Sequence, residues 1–215
     1  MLGTGQAIGD IGSELSRWRG EQPGTEAASA AACDLLNTAE RRLSPGAADD
    51  TDAGTWHDFL YSTGVPDFLE CLPDHASRER WADLTFRAIE RSNYSLLTML
   101  QQRVAAHPER ILFCEAREAN QASTYAQVAW YTRTLAGLFL QSVPNEPRVA
   151  IFCDNSSDSA CADLACLLYG ILVSPLNVHF DTETLVWIFQ RLAINVVVTD
   201  SEERIARLSE VRSIL

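Results

Sequence analysis

From Arg110 onward the chain alternates short, uniformly apolar runs with longer stretches at helical spacing, and few architectures satisfy that pattern. The runs are ILFC at 111–114, RVAIFCD at 148–154, LVSPLN at 172–177 and NVVVTD at 195–200. A strand that is apolar on both sides must be covered on both faces, and strands that alternate with helices pair in parallel. Between the runs, the spacing of apolar residues predicts helices over 124–141, 156–169, 181–192 and 201–213. A polar turn separates the first run from the first of these helices. The expected fold class is α/β: a parallel sheet with helices on both faces, joined by right-handed crossovers.

The sequence before Arg110 has a different texture. Nine of the 11 glycines lie at or before Gly64. The first 54 residues are rich in Gly, Ala, Ser and Asp, which predicts low order through much of the segment. Within it, 25–43 reads as a helix capped near Thr25 and stopped by Ser44-Pro45-Gly46, and AADDTDAG at 47–54 reads as an acidic linker. Residues 55–107 read as helical. Trp56, Phe59 and Leu60 lie three and four apart. Trp81, Leu84, Thr85 and Ala88 repeat that spacing, with Arg78, Arg80, Arg87 and Arg91 between them. Leu96, Leu97, Leu100 and Val104 form a further stripe that ends at His107-Pro108. The expected organisation is thus a poorly ordered or partly helical extension over 1–54, a helical subdomain over 55–107 and an α/β subdomain over 108–215.

Charge limits the partners. All 17 basic residues of the 215 are arginines, against 29 acidic residues, for a net charge of −12. Nucleic-acid surfaces and anionic membranes both attract dense basic patches, so neither is an expected partner. Without lysine, the chain supplies neither a Schiff base nor the ammonium of a Walker-type phosphate loop. The longest apolar stretch, 164–173, is about half the ~20 residues a bilayer requires. The first 16 residues lack the basic and apolar regions of a signal peptide. The six cysteines, at 33, 71, 114, 153, 161 and 166, include no CxxC pair. The expectation is a cytoplasmic protein with reduced thiols.

Four constellations bear on chemistry. The opening GTGQAIGDIG imitates a dinucleotide fingerprint, but only Met1-Leu2 precede Gly3, and the fingerprint works only after a strand; a flexible terminus is the expectation. DNSSDS at 154–159 follows an apolar strand and opens a helix, the place where open parallel sheets bind ligands. Free amides there attract anions, and Asp154, Ser156 and Asp158 offer oxygens to magnesium. The simpler reading is that Asn155 or Ser156 caps the helix and Asp158 favours its positive end. Cys161 and Cys166 are about 140° apart around a helix, so they do not form a chelating face; both read as small buried hydrophobes. Cys153 ends a strand, but no histidine stands at an indicative spacing, and there is no GxSxG elbow. Of His57, His75, His107 and His179, only His179 lies near a strand's carboxyl end, and it reads as a solvated loop residue.

From about Asn93 onward these elements form a recognisable series. Ser123-Thr124-Tyr125 with Val128 resembles a segment in which a Thr-Tyr pair leads into a long helix, and Leu135-Ala136-Gly137-Leu138 resembles the end of that helix. RVAIFCDNS at 148–156 resembles a strand ending in Asn-Ser. LACLLYG at 164–170 followed by Pro175-Leu176-Asn177 resembles a second conserved segment, and Thr182 to Leu185 with VVVTD at 196–200 continue the register. In this order and spacing they resemble the adenylate-forming acyl-CoA synthetases of the AMP-binding superfamily, over some 120 residues.

The resemblance implies an ATP-dependent chemistry. A carboxylate attacks the α-phosphate of ATP to give an acyl-adenylate and pyrophosphate, and a thiol, usually coenzyme A, then takes the acyl group. ATP, magnesium and coenzyme A are implied for the complete family enzyme. That chemistry relies on a Ser/Thr/Gly-rich phosphate loop, magnesium and a lysine. No such loop follows residue 110, and no acidic–arginine pair is marked as a ribose site. No catalytic, cofactor-binding or metal-binding residue is therefore assigned, and no cofactor is expected on this chain alone. The expected function is the N-terminal part of an AMP-forming acyl-CoA synthetase, not catalytic on its own, from a truncated or split gene. Its expected partner is the missing C-terminal part of the ligase, or another copy of itself. The alternative is a non-catalytic binding or assembly module that retains the fold.

Overall fold

The computed structural model describes residues 10–46, 51–114, 122–143 and 146–214. They fall into two compact units, one up to Ser95 and one from Leu96.

The first unit is all helical: α1 (Ile11–Arg19), α2 (Glu26–Leu43), α3 (Ala53–Thr63), α4 (Pro66–Glu70) and α5 (His75–Ser92). Short polar side chains begin four of these helices. Asp10, Thr25, Asp52 and Asp74 each accept a hydrogen bond from a first-turn amide, satisfying a donor that has no partner within the helix. Pro66 begins α4, where its missing N–H costs nothing. Ile11, Leu15, Leu35, Leu36, Trp56, Phe59, Phe68 and Leu84 are buried in one shared core. The expected helix at 25–43 is α2, with Thr25 as its cap. Helix α1 was not expected. Its signal is Ile11, Leu15 and Trp18, spaced four and three apart, within a Gly-rich context that conceals it. Asp52 caps α3 and Ala53-Gly54 begin it, so the linker expected over 47–54 extends too far. The opening glycine motif up to Gly9 and residues 47–50 lie outside the described residues.

The second unit begins with α6 (Leu96–Ala106), which packs with the helices that follow it. The division at Ser95 thus differs from the expected boundaries at 54 and 107. After α6 come β1 (Ile111–Cys114), β2 (Ala122–Thr124), α7 (Tyr125–Ser142), β3 (Arg148–Phe152), α8 (Ser157–Tyr169), β4 (Leu172–Pro175), α9 (Thr182–Leu192), β5 (Val196–Thr199) and α10 (Glu202–Ile214). Strands β4, β3 and β5, in that order, form a parallel sheet. The first apolar run does not join it. Strand β1 pairs antiparallel with β2, a short strand the sequence reading missed, in a separate ribbon. Ile111 at its start is 58% exposed, so the run lacks the two-sided burial of β3.

Strand β3 shows why a central strand is apolar throughout. Val149 and Ile151 pack with Ala136 and Phe139 of α7 and with Ala162, Ala165 and Cys166 of α8. Ala150 and Phe152 point the other way, toward Leu185 and Phe189 of α9 and Val211 of α10. The sheet is therefore covered on both faces, as expected. Gly170 ends α8 at φ +68°, a left-handed position that costs glycine little, and its N–H reaches the Cys166 carbonyl. Pro175 terminates β4, and the next amide, Leu176 N–H, donates to the Ile151 carbonyl at 2.8 Å.

Candidate functional site

Ligands of open parallel sheets gather beyond the carboxyl ends of the strands, where neighbouring strands send their helices to opposite faces. Here that place lies between β3 and β5, because α8 covers one face and α10 the other. It is filled by the protein's own charges. Arg204 Nη2 lies 2.9 Å from Asp154 Oδ2. Its Nη1 donates to Asp200, one turn earlier in sequence. Asp154 N–H donates to Asp200 Oδ2 at 2.8 Å, joining the two loops directly. The Arg204 side chain is 16% exposed. The two carboxylates hold its guanidinium pKa above the ordinary arginine value. Partial burial acts to raise the Asp200 pKa, but the bonds from Arg204 and from the Asp154 amide outweigh it, and the net shift is downward.

Arg204 and Arg207 lie on one face of α10. The structure turns them inward. Arg207 Nη1 donates to the Val178 carbonyl at 2.9 Å, and Nη2 donates to that of Phe180. Its guanidinium carbon sits 5.4 Å from the Phe152 ring centroid. Two carboxylates, two loop carbonyls and a ring face together replace the water both groups give up. With 204, 207, 208 and 211 inward, Ile205 is left 54% exposed.

Ser156 is the cap of α8. Its hydroxyl accepts from Ser159 N–H at 3.1 Å, and Ser159 Oγ accepts from Ser156 N–H at 2.9 Å. Asp158 sits in the first turn, where it favours the positive end of the helix dipole. Beside this cap a groove of about 320 Å³ runs between β3 and β4, lined by Cys153, Asn155, Ser156, Ser159, Asp163 and Leu176, among others. Cys153 lies in it, but burial, and then the Asp200 charge, push its thiol pKa up, the opposite of what a nucleophile needs. His179 is an exposed loop residue whose N–H donates to Asn177 Oδ1. Cys161 and Cys166 are buried. Burial first, then a nearby aspartate in each case, pushes their thiols up to about 11 and about 12.

These residues do not fit the phosphates of ATP. The Arg204 guanidinium is already shared by two carboxylates, and that of Arg207 by two loop carbonyls. The first-turn amide of Ser159 is occupied by a hydroxyl. A single orphaned donor, the buried Thr199 hydroxyl, ends β5. Asp154, Ser156 and Asp158 form no cage, since Asp154 pairs with Arg204 and Ser156 serves the cap; among the described residues no three metal-ligating side chains gather. Asp200 and Arg204 form an acidic–arginine ion pair, which with Asp154 joins strand ends. Its i,i+4 spacing was legible; the tie to Asp154, 50 positions away, was not. No helix among the described residues is long and apolar enough to cross a membrane.

Comparison with known proteins places this fold. A described long-chain-fatty-acid CoA ligase of Rhodopseudomonas palustris is similar in structure, with a TM-score of 0.51 at 22% identity, over 57% of this chain and 30% of that one. An O-succinylbenzoate coenzyme A synthetase of Bacillus subtilis, solved with ATP and magnesium ion, matches at 28% identity with a TM-score of 0.42, over 47% of this chain and 27% of that one. The chain thus spans about a third or less of these relatives. No curated protein sequence matches it. The sequence model of the AMP-binding enzymes matches residues 100–215, more than half of the chain and nearly all of its second unit. The chain belongs to the AMP-binding enzyme family.

Proposed function

We propose that the chain supplies the N-terminal α/β layer of an ATP-dependent, AMP-forming ligase that joins a carboxylic acid to a thiol, of the acyl-CoA synthetase type, and that it serves as scaffold and not as the seat of catalysis. The observation that supports this is the family match over residues 100–215, on a parallel sheet whose crevice is closed by Arg204. The barrier in such chemistry is electrostatic and calls for positive charge at the phosphates. This chain holds no lysine, and Arg204 in the crevice is already neutralised by Asp154 and Asp200. The remaining groups, with the sites for ATP, magnesium and coenzyme A, would come from other polypeptide sequence.

Acid-dependent exchange of pyrophosphate into ATP tests the reading. The chain alone, given fatty and aromatic acids, stays at background. Co-expressed with a polypeptide carrying the family's phosphate loop and lysine, it gives exchange that the added polypeptide lacks by itself. Exchange by the isolated chain overturns the scaffold role. If the co-expressed pair is as inactive as the chain alone, the second reading holds: a binding or assembly module that keeps the ligase fold, a reading favoured by the Asp154–Arg204–Asp200 closure.

A further inference from the structure

Helix α10 carries two faces with different fates. The inward one, Arg204, Arg207, Leu208 and Val211, is spent on the sheet and its loops. The outward one is a stripe of Glu202, Ile205, Ser209 and Arg212, all exposed. At 3.6 residues per turn these four fall within about 80° of arc. The stripe borders a groove of about 570 Å³ whose apolar wall is Phe189, Ile194, Val197, Ile205 and Leu208. The groove flanks β5, an edge strand with one hydrogen-bonded neighbour and neither charge nor proline to protect it. The other edge, β4, ends in Pro175.

The order of residues along the stripe is self-complementary. It has an acid at its N-terminal end, a large apolar side chain, a small residue and a base at its C-terminal end. Laid antiparallel against a second α10 so that Glu202 faces Arg212 of the other copy, it also brings Ile205 opposite Ser209 of the other copy. Ser209 turns its hydroxyl back to the Ile205 carbonyl at 2.9 Å, leaving a shallow, satisfied seat for an isoleucine. Neither Glu202 nor Arg212 has an ion partner within the described residues, so both charges remain to be met from outside. A two-fold axis repeats every such contact, as an isologous interface requires.

We propose that this face is a homodimer interface, in which α10 of two copies pair antiparallel, each Ile205 entering the other's groove and each Glu202 meeting the other's Arg212. The pairing needs neither ATP nor acid and stands apart from the ligase reading.

Sedimentation velocity on the whole chain, over a range of micromolar concentrations, tests it. The native chain gives a reversible dimer. Ile205→Glu, at an exposed position, raises the dimer dissociation constant by about a hundredfold, with the thermal melt confirming that the fold is kept. Glu202→Arg and Arg212→Glu each raise it about tenfold, since each places like charges opposite one another twice. The double variant restores native dimerisation, because the swapped charges meet again across the axis. A chain monomeric throughout, a dimer indifferent to Ile205→Glu, or a double variant no better than its parents overturns the proposal.

Discussion

Arg204 lies 2.9 Å from Asp154 across the top of the sheet and, through its other nitrogen, bonds to Asp200, so one guanidinium ties the loop after β3 to the loop after β5. The consequence is mechanical. The two strand ends cannot separate to admit a ligand without breaking a charge-assisted network.

Replacing Arg204 by methionine leaves two carboxylates facing each other over a short distance. The melting temperature should fall by a few degrees at neutral pH, and more than for Asp154→Asn, which removes the more exposed partner. The network also sets an acid limb. The folded-state pKa of Asp200 lies below its unfolded value, so its contribution is complete above that value and is lost as pH falls through the folded one. Thermal melts between pH 6 and 3 should show a stability loss in the acid range that is shallower in Asp200→Asn. Identical slopes would show that the pairing is absent in solution.

Ser156→Ala removes the hydroxyl that caps α8 and should cost about 1 kcal/mol in urea unfolding, whereas Ser156→Asp should cost little, because aspartate caps equally well. Unchanged stability in the alanine variant, with loss of phosphate binding by calorimetry, would transfer the residue from cap to anion site.

Two of the left-handed helix ends make opposite demands. Gly170 has φ +68° and Ala193, which ends α9, has φ +51°. Gly170→Ala should destabilise by about 1 kcal/mol and Ala193→Gly should stabilise by a similar amount, since only glycine takes that conformation without steric cost. Effects of the same sign at both positions would contradict these backbone angles.

All six cysteines are thiols in the structure, but their reactivity should separate. With iodoacetamide at pH 8 the exposed Cys114 should be modified first. Cys161 and Cys166, with pKa values pushed up to about 11 and about 12 by burial, should stay unmodified until the chain unfolds. Mass spectrometry of the denatured chain without reductant should count six adducts; fewer would reveal a disulfide.

What the sequence determined by itself were the features governed by local chemistry. Helix starts at Thr25, Thr124, Ser156 and Asp181 follow from short side chains bonding amides two or three residues on, so the cap residues mark them without knowledge of the fold. Strand β3 was legible because burial on both faces leaves little room for polar residues, and β4 and β5 because short apolar runs recur between helices. Resemblance of the ordered segments carried the family. Tertiary structure alone decided that β1 leaves the sheet for a ribbon with β2, since an apolar run does not state which strand it pairs with. It alone grouped α1 and α2 with α3 and α5 in one core. It alone turned Arg204 and Arg207 inward. Helical periodicity ranks arginine as a surface residue; only the folded chain places Asp154, the Val178 and Phe180 carbonyls and the Phe152 ring where they replace the water an arginine loses.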